Sequence, residues 1–217
     1  MNTKTTSIIV IIVSIGLILA GLALQNQMPE TVATHWNEAG EADGFGSRTA
    51  GIFLLPAMMI ATVLLLVIIP QIDPLRKNIF QFRPYYNNFI LAFAFFFAYL
   101  HVLTLLWNIG VKINFNQYLI PGFGIFFYFA GILISKAQRN YMIGIRTPWT
   151  LANDEVWERT HTLGGKLFKA SGLIAILGVF FPSQVIWFML VPILGSTAVS
   201  LVYSYVIYRQ IKPQGEA

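Results

Sequence analysis

The 217-residue sequence contains no cysteine. Disulfide bonds, thiolate chemistry and cysteine-ligated zinc are therefore excluded. Charge is also scarce, since Asp, Glu, Lys and Arg make up 11% of the residues while hydrophobic residues make up 56%. There is no low-complexity run, no solenoid repeat and no loop long enough to form a soluble domain with its own core. What the sequence does contain is a series of long apolar runs.

These runs have the length of transmembrane helices. About 20 mostly apolar residues are needed to cross a hydrocarbon core of roughly 30 Å, because every backbone amide must find its hydrogen bond within the helix. The first run is longer than the apolar core of a usual signal peptide, so we interpret it as an uncleaved helix. Six spans are predicted, at residues 7–24, 50–69, 89–107, 118–135, 167–181 and 185–208, with a turn at residues 182–184 between the last two.

The predicted fold class is an all-α membrane protein of six transmembrane helices with a short interfacial amphipathic helix on the cytoplasmic side. We expect residues 1–217 to form a single membrane domain. Within it, residues 1–70 would supply two spans and an acidic outer loop, and residues 71–217 would supply four spans around the segment at residues 140–166. The polar part of that segment, residues 140–161, is called here the 140–161 motif.

The distribution of basic residues predicts the orientation, because Lys and Arg near span ends are retained in the cytoplasm. With both termini in the cytoplasm, only Arg48 and Lys112 fall outside. Twelve basic residues then lie inside: Lys4, Arg76, Lys77, Arg83, Lys136, Arg139, Arg146, Arg159, Lys166, Lys169, Arg209 and Lys212. The net charge of +5 therefore reflects topology and contact with lipid headgroups, and no direct nucleic-acid partner is expected.

Turn and capping residues organise the 140–161 motif. Gly144 permits a left-handed turn, and Pro148 biases the preceding residue away from helical geometry. Asn153 is a suitable N-cap for a new helix, in which Glu155 precedes Arg159 by four residues. We expect this helix to lie along the membrane surface and to bend at residues 164–165 into span five.

Two interpretations of the 140–161 motif remain open. In the first it is an interfacial anchor, with Trp149 and Trp157 at headgroup depth and with Arg146 and Lys166 near lipid phosphates. In the second, Arg146 is a rigidly presented guanidinium between Gly144 and Pro148, suited to bind a specific carboxylate, phosphate or backbone carbonyl.

The outer loop, residues 25–49, is acidic, with four carboxylates and a net charge of about −3. Such a surface could attract cationic peptides or ions. If the loop were helical, the spacing of His35 and Glu38 would let them converge on a metal ion, with Glu41 or Asp43 as a third ligand. The favoured interpretation is a loop without metal, in which Trp36 sits at headgroup level and the histidine is hydrogen-bonded locally.

Polar and small residues within the spans suggest two further features. His101 is the one ionisable side chain predicted well inside a span, where it could mark a proton or ligand path or be a neutral imidazole bonded to Thr104 or a neighbouring helix. Small residues recur at helical spacing in spans five and six and predict packing between helices rather than a transport path. They are Ser171, Ala175 and Gly178 in span five, and Pro192, Ser196, Ser200 and Ser204 in span six.

The 140–161 motif resembles the hallmark of the SdpI immunity-protein family. The resemblance is carried by residues 140–151 (NYMIGIRTPWTL), by Trp157 and His161, and by residues 164–168 (GGKLF). The outer loop, with residues 35–37 (HWN), Gly40 and residues 47–48 (SR), is similar to the small domain of unknown function that precedes this motif in many family members. Together the matches span nearly the whole chain.

The resemblance implies a six-span plasma-membrane protein that protects a bacterium from a secreted, membrane-active peptide toxin. It further implies that such a protein can hold a cytoplasmic repressor at the membrane and so relay the presence of toxin. The toxin would meet the outer loop or a lipid-facing groove lined by the Phe-rich third span. The binding residues expected are His35, Trp36, Asn37 and Glu38 in the outer loop, and Asn140, Gly144, Arg146, Thr147, Pro148, Trp149, Trp157 and His161 in the motif. No enzymatic activity, cofactor or metal is expected.

Two other classes stay open. A membrane enzyme would need a convergent acid, base or metal set, for which only His35, Glu38 and Asp43 outside, or Glu158 and His161 inside, are candidates. A small transporter or lipid-handling protein would instead use His101 and the small-residue faces.

Overall fold

The computed structural model describes residues 2–111 and 113–211. Two basic residues used to predict the orientation, Lys112 and Lys212, lie outside the described residues. The helices are α1 (Thr3–Leu24), α2 (Arg48–Ile72), α3 (Arg76–Gln81), α4 (Arg83–Asn108), α5 (Phe115–Lys136), α6 (Pro148–Ala152), α7 (Asp154–Leu177) and α8 (Val185–Ile211). Two strands, β1 (Thr31–Trp36) and β2 (Ala42–Ser47), lie between α1 and α2, and short 3-10 turns lie at Gln25–Gln27, Gly178–Phe180 and Pro182–Gln184.

Six helices are long and apolar enough to cross a membrane, as predicted. They are α1, α2, α4, α5, α7 and α8, and each includes most or all of the corresponding predicted span. Asparagine and serine side chains begin four of them by accepting a backbone amide of the first turn, at Asn2, Ser47, Asn114 and Asn153. The protein is therefore an all-α, multi-pass membrane protein, with the short helices α3 and α6 outside the spans.

The helix that begins at Asn153 differs from the prediction beyond its first turns. α7 continues without interruption from Asp154 to Leu177, through both Gly164 and Gly165, so the predicted division into a surface helix and a fifth span is wrong. A Cβ at Gly165 would lie 2.8 Å from the carbonyl oxygen of Gly131 in α5. These glycines therefore serve the close approach of α7 to its neighbours, and the helix does not break at them.

The close approach of α5 and α7 is the tightest packing in the bundle. Gly124 faces Gly172, and Gly131 faces Gly165, so two glycine pairs meet seven residues apart along both antiparallel helices. A Cβ at Gly131 would lie 2.7 Å from the backbone nitrogen of Lys169, which leaves no room for any side chain. Because burial from water does not drive helix association in lipid, backbone contact through small residues is the expected source of this affinity.

The predicted small-residue faces of spans five and six do meet. Ser171 Oγ of α7 and Ser196 Oγ of α8 are 2.7 Å apart and hydrogen-bonded, and both residues are buried. Ser200 and Ser204 are also buried and return their hydroxyls to carbonyls of their own helix. This arrangement confirms the interpretation of these residues as packing surfaces.

The first two spans pack against α4, and an apolar cluster extends from them to α7. Met59 of α2, Ile90 of α4 and Trp157 of α7 belong to this cluster, and the first two are fully buried. The hydroxyl of Tyr86 in α4 donates to the carbonyl oxygen of Leu66 in α2 at 2.7 Å. The cluster therefore lies toward the end of the bundle that holds the 140–161 motif, called here the motif end.

Part of the outer loop is a β-hairpin. β1 and β2 pair antiparallel, with Thr31 opposite Ser47 and Trp36 opposite Ala42, and the register is irregular around His35. The glycines of the loop lie within this hairpin or its turn, and Gly40 takes a φ of 79° that favours glycine. The opposite end of the bundle, which carries this hairpin, is called here the hairpin end.

Candidate functional site

Asn140 organises the loop that follows α5. Its Nδ2 donates to the carbonyl oxygens of Gln138 and Ile143, and its Oδ1 accepts the amides of Met142 and Ile143, at 2.6 to 2.9 Å. The side chain is fully buried. All of its hydrogen-bonding capacity is consumed within the loop, so Asn140 shapes the 140–161 motif and is not free to bind a partner.

His161 joins this loop to α7. Its Nε2 accepts the backbone amide of Ile145 at 2.9 Å, and its Nδ1 lies 2.8 Å from the carbonyl oxygen of Trp157. Gly144, with a φ of 110°, lies directly against the imidazole, and a Cβ there would collide with Nε2. The loop can therefore reach His161 only because residue 144 is a glycine.

These two contacts assign the tautomer of His161. A backbone amide can only donate, so Nε2 must carry a lone pair, and a carbonyl can only accept, so Nδ1 must carry the proton. The imidazole is thus neutral in this arrangement, and it stacks on the Trp157 indole with 3.9 Å between ring centroids. Trp157 Nε1 donates to the carbonyl oxygen of Ala137 at 2.7 Å, which satisfies the C-terminal end of α5.

Thr147 begins α6 through a reciprocal capping arrangement. Its Oγ1 accepts the amide of Thr150, and Thr150 Oγ1 accepts the amide of Thr147, at 3.1 and 2.9 Å. Thr147 Oγ1 also donates to Ser204 Oγ of α8 at 3.2 Å. The motif is thereby attached to the last helix as well as to α5 and α7.

Three predicted motif residues remain accessible. Arg146 is exposed, and its Nη1 donates to the carbonyl oxygen of Tyr141 at 2.6 Å, while none of the ion pairs among the described residues involves it. Pro148 is exposed, and Trp149 is half-buried against Tyr205 of α8 with 5.0 Å between ring centroids. The guanidinium is therefore oriented by one backbone carbonyl and keeps most of its donors free.

The structure also shows contacts that the sequence alone did not suggest. Asp73, buried at the end of α2, accepts the amide of Tyr141 at 2.9 Å, and Asn78 of α3 donates to the carbonyl oxygen of Arg139 at 2.7 Å. Arg139 in turn pairs with Asp154 at the start of α7, with 2.7 Å between Nε and Oδ1. Asp73 and Asn78, which lie between the second and third spans, thus fix the loop that begins the 140–161 motif.

Two asparagines hold the hairpin at the opposite end, and both were missed. Asn108 at the end of α4 accepts the amide of Ala33 at 2.8 Å and donates to the carbonyl oxygen of Ala33 at 3.0 Å, as a neighbouring strand would. Asn116 of α5 donates to the carbonyl oxygens of Asn37 and Glu38, both at 2.9 Å. Each is a side-chain amide at the end of a span, and this position in the sequence is the signal that could have identified them.

The predicted outer-loop residues have different surroundings. Trp36 is half-buried, stacked on Phe115 at 3.7 Å and edge-on to Trp107 at 5.7 Å between ring centroids. Asn37 uses its Oδ1 to accept two amides of the hairpin turn. His35 and Glu38 are exposed, and they are the two that a ligand could reach directly.

The helical metal geometry considered for this loop is wrong. His35 lies in a strand opposite Gly44, so the helical i, i+3 spacing to Glu38 does not apply, and its Nδ1 pairs instead with Asp43 Oδ1 at 2.5 Å. Within residues 2–111 and 113–211, no three His, Asp or Glu side chains lie close enough together to hold a metal ion. At the motif end, His161 is buried and bonded to the amide of Ile145, whereas Glu158 is exposed.

His101 of α4 is fully buried, and within residues 2–111 and 113–211 neither of its ring nitrogens has a hydrogen-bond partner. The hydroxyl of Thr104 does not bond to the imidazole and donates instead to the carbonyl oxygen of Leu100 at 2.9 Å. A functional role for His101 stays a prediction.

A groove between α4 and α5 faces the exterior of the bundle. It encloses about 540 Å³ and is lined almost entirely by apolar side chains, among them Phe95, Phe96 and Tyr99 of α4 and Ile125, Phe126 and Phe129 of α5. It corresponds to the Phe-rich face of the third span.

Six spans with an ordered hairpin at one end and a buried polar loop at the other define a multi-pass membrane protein with two candidate contact surfaces. Residues 136–204 match the SdpI/YfhL protein family, and residues 11–60 match a domain of unknown function, DUF1648. The chain is 27% identical over 212 residues to Immunity protein SdpI of Bacillus subtilis (strain 168), covering 97% of this chain and 98% of that protein. The resemblance is thus confirmed: the family match covers the motif end of the chain, and the similarity to the immunity protein extends over nearly its full length. No solved structure matches it.

Proposed function

We propose that this chain is an immunity protein that protects the cell carrying it from a secreted, membrane-active peptide toxin. The observation that supports this proposal most is the near full-length similarity to a protein named for immunity, which includes both the hairpin end and the motif end. Similarity limited to the spans would be weaker support, because apolar helices resemble one another in composition.

The hairpin end is the proposed site of toxin capture. His35 and Glu38 are exposed there, while Trp36 and Asn37 fix the hairpin on the ends of α4 and α5. The carboxylates of Glu30, Glu38, Glu41 and Asp43 give this surface a negative charge that would attract a cationic peptide. The buried residues position the surface, and the exposed ones would contact the toxin.

The motif end is the proposed site of a second, cytoplasmic contact with a repressor protein. Arg146 is the candidate contact residue, because it is exposed and its guanidinium is already oriented by Tyr141. Asn140 and His161 are buried, Gly144 lies against the His161 ring, and the three would position it. α5 connects the two ends, since Asn116 contacts the hairpin near its start and the carbonyl of Ala137 follows its last turn.

Survival of a sensitive bacterial strain that expresses the full chain tests this proposal. Cells challenged with killing peptides should survive at peptide concentrations that kill the parent strain. The double variant H35A/E38A should lose protection at unchanged membrane abundance, whereas E158A, an exposed carboxylate at the motif end, should keep it. Equal killing with and without the chain, across the peptides tested, would refute the proposed immunity function.

The relay to a repressor needs a separate readout. R146A should lose co-purification of a cytoplasmic repressor in the presence of toxin but retain protection, and R146K should recover only part of the co-purification because lysine lacks the planar fork of donors. Normal co-purification with R146A would remove Arg146 from the proposed contact.

One observation favours a second candidate function, a lipid-handling protein or small transporter. The α4–α5 groove could carry an apolar chain, and His101 lies buried in the same helix. Transfer of labelled lipid or pH-dependent ion flux in proteoliposomes, lost in a His101→Phe variant, would support that alternative over immunity.

A further inference from the structure

The α4–α5 groove has a closed end and an open end. At the closed end the Tyr99 ring lies against Gly122, where a Cβ would be 2.7 Å from Cε1, and the Tyr99 hydroxyl donates to the carbonyl oxygen of Tyr118 at 2.6 Å. Phe96 of α4 and Phe126 of α5, with 5.6 Å between ring centroids, form its floor. From there the groove runs toward the motif end and finishes at Asn88.

The open end carries a positive charge. Lys136 lies seven residues beyond Phe129 on α5, and Tyr85 lies three residues before Asn88 on α4, so both continue the helix faces that line the groove. They meet beyond the lining residues, next to the Asn88 end of the groove, with Lys136 Nζ 5.7 Å from the centroid of the Tyr85 ring. Lys136 is exposed, and none of the ion pairs within residues 2–111 and 113–211 involves it.

The dimensions of the groove match one membrane leaflet. Eleven residues separate Asn88 from Tyr99, which is about 16 Å at 1.5 Å per helical residue. This is about half of the roughly 30 Å hydrocarbon core. α4 begins at Arg83 and ends at Asn108, so Asn88 lies five residues from its motif end and Tyr99 lies only a few residues past its midpoint. Its open end therefore lies at headgroup depth and its closed end near the bilayer centre.

We propose that this groove binds one anionic phospholipid of the leaflet at the motif end. An acyl chain lies along the aromatic floor, and the phosphate meets the Lys136 ammonium at the open end. An apolar lining alone would bind the acyl chains of all lipids equally. The Lys136 ammonium adds a positive charge at headgroup depth that has no carboxylate partner, and such a charge attracts a negatively charged headgroup. The proposal goes beyond the proposed immunity function and does not depend on it.

Native mass spectrometry of the full-length protein tests the proposal. The protein is purified in mild detergent that contains equimolar phosphatidylglycerol and phosphatidylcholine with identical acyl chains. One lipid per protein should be retained, with phosphatidylglycerol favoured about fivefold, which is the attraction expected from one lysine. K136Q should bring that ratio to about one while lipid is still retained. K77Q, which removes an exposed lysine of α3 away from the groove, should leave the ratio unchanged.

A second pair of variants tests the apolar part independently. A92F places a ring in the groove and should strongly reduce retention of both lipids, while A61F, at an exposed alanine of α2 that does not line the groove, should not. Equal retention of the two lipids by the wild type, or a K136Q ratio equal to that of K77Q, would overturn the proposal. The proposal would also be overturned if the wild type retained no lipid and A92F lost toxin protection, because the groove would then be a peptide-binding site.

Discussion

Substitution of Gly144 by alanine tests the junction between the motif loop and α7. Two costs are expected. The φ of 110° is a conformation that residues with a Cβ rarely adopt, at a cost of about 1–3 kcal/mol. The new methyl group would also displace the His161 imidazole, so the amide of Ile145 would lose its acceptor, at a cost of about 1–3 kcal/mol. The expected loss of unfolding free energy is about 2–6 kcal/mol.

Gly110 provides a matched control for this experiment. Its φ of 92° is similar, but a Cβ there would have nothing within 4 Å, so G110A carries only the backbone cost. Equilibrium unfolding of both variants in mixed micelles with increasing SDS, followed by tryptophan fluorescence, should show G144A to be less stable than G110A by about 1–3 kcal/mol.

A double variant identifies the origin of that difference. In an H161A background the ring is absent, so G144A should cost about as much as G110A, and the effects of the two substitutions should be strongly non-additive. If G144A destabilises the protein no more than G110A, or if the effects of G144A and H161A simply add, then Gly144 is not required by its contact with His161.

Three further outcomes follow from other contacts. G172A should destabilise the protein by about 1–3 kcal/mol because α5 and α7 must separate, whereas G195A, with open space around its Cβ, should be neutral or slightly stabilising in the same titration. N108L should expose the Ala33 amide to hydrogen exchange without altering exchange in the spans, and unchanged protection would contradict the strand-like pairing. H35A should leave the SDS unfolding midpoint unchanged, because its ion pair is exposed; a measurable loss would show that the pair stabilises the hairpin.

The spans were predictable because hydropathy over some 20 residues is a local property of the sequence. The Asn153 cap and the Glu155–Arg159 pair, with 2.6 Å between Glu155 Oε1 and Arg159 Nη2, were likewise confirmed because each depends on neighbours within one helical turn. The hairpin was missed although β-branched residues at 31, 32 and 34 favour a strand, since glycine-containing strands give a weak signal.

The contacts that build the motif could not be predicted from spacing. Gly144 was expected to turn the chain, but its role against His161 requires the loop to return onto α7, where His161 binds the amide of Ile145 from sixteen residues further along the chain. Gly124 and Gly131 have the same seven-residue spacing as Gly165 and Gly172, yet nothing local indicates that these pairs face each other. The division of the chain at residue 70 and the cytoplasmic placement of the termini stay predictions.

The pairing of Asn108 with Ala33 limits how any extended peptide could associate with the hairpin. A strand at the edge of a sheet normally offers its free amides and carbonyls as a template on which another chain can align. Here a side-chain amide already occupies the outward donor and acceptor of Ala33 in β1. Sheet extension at this position is therefore blocked, both for a foreign peptide and for a second copy of the protein, and recognition on this side must proceed through side chains.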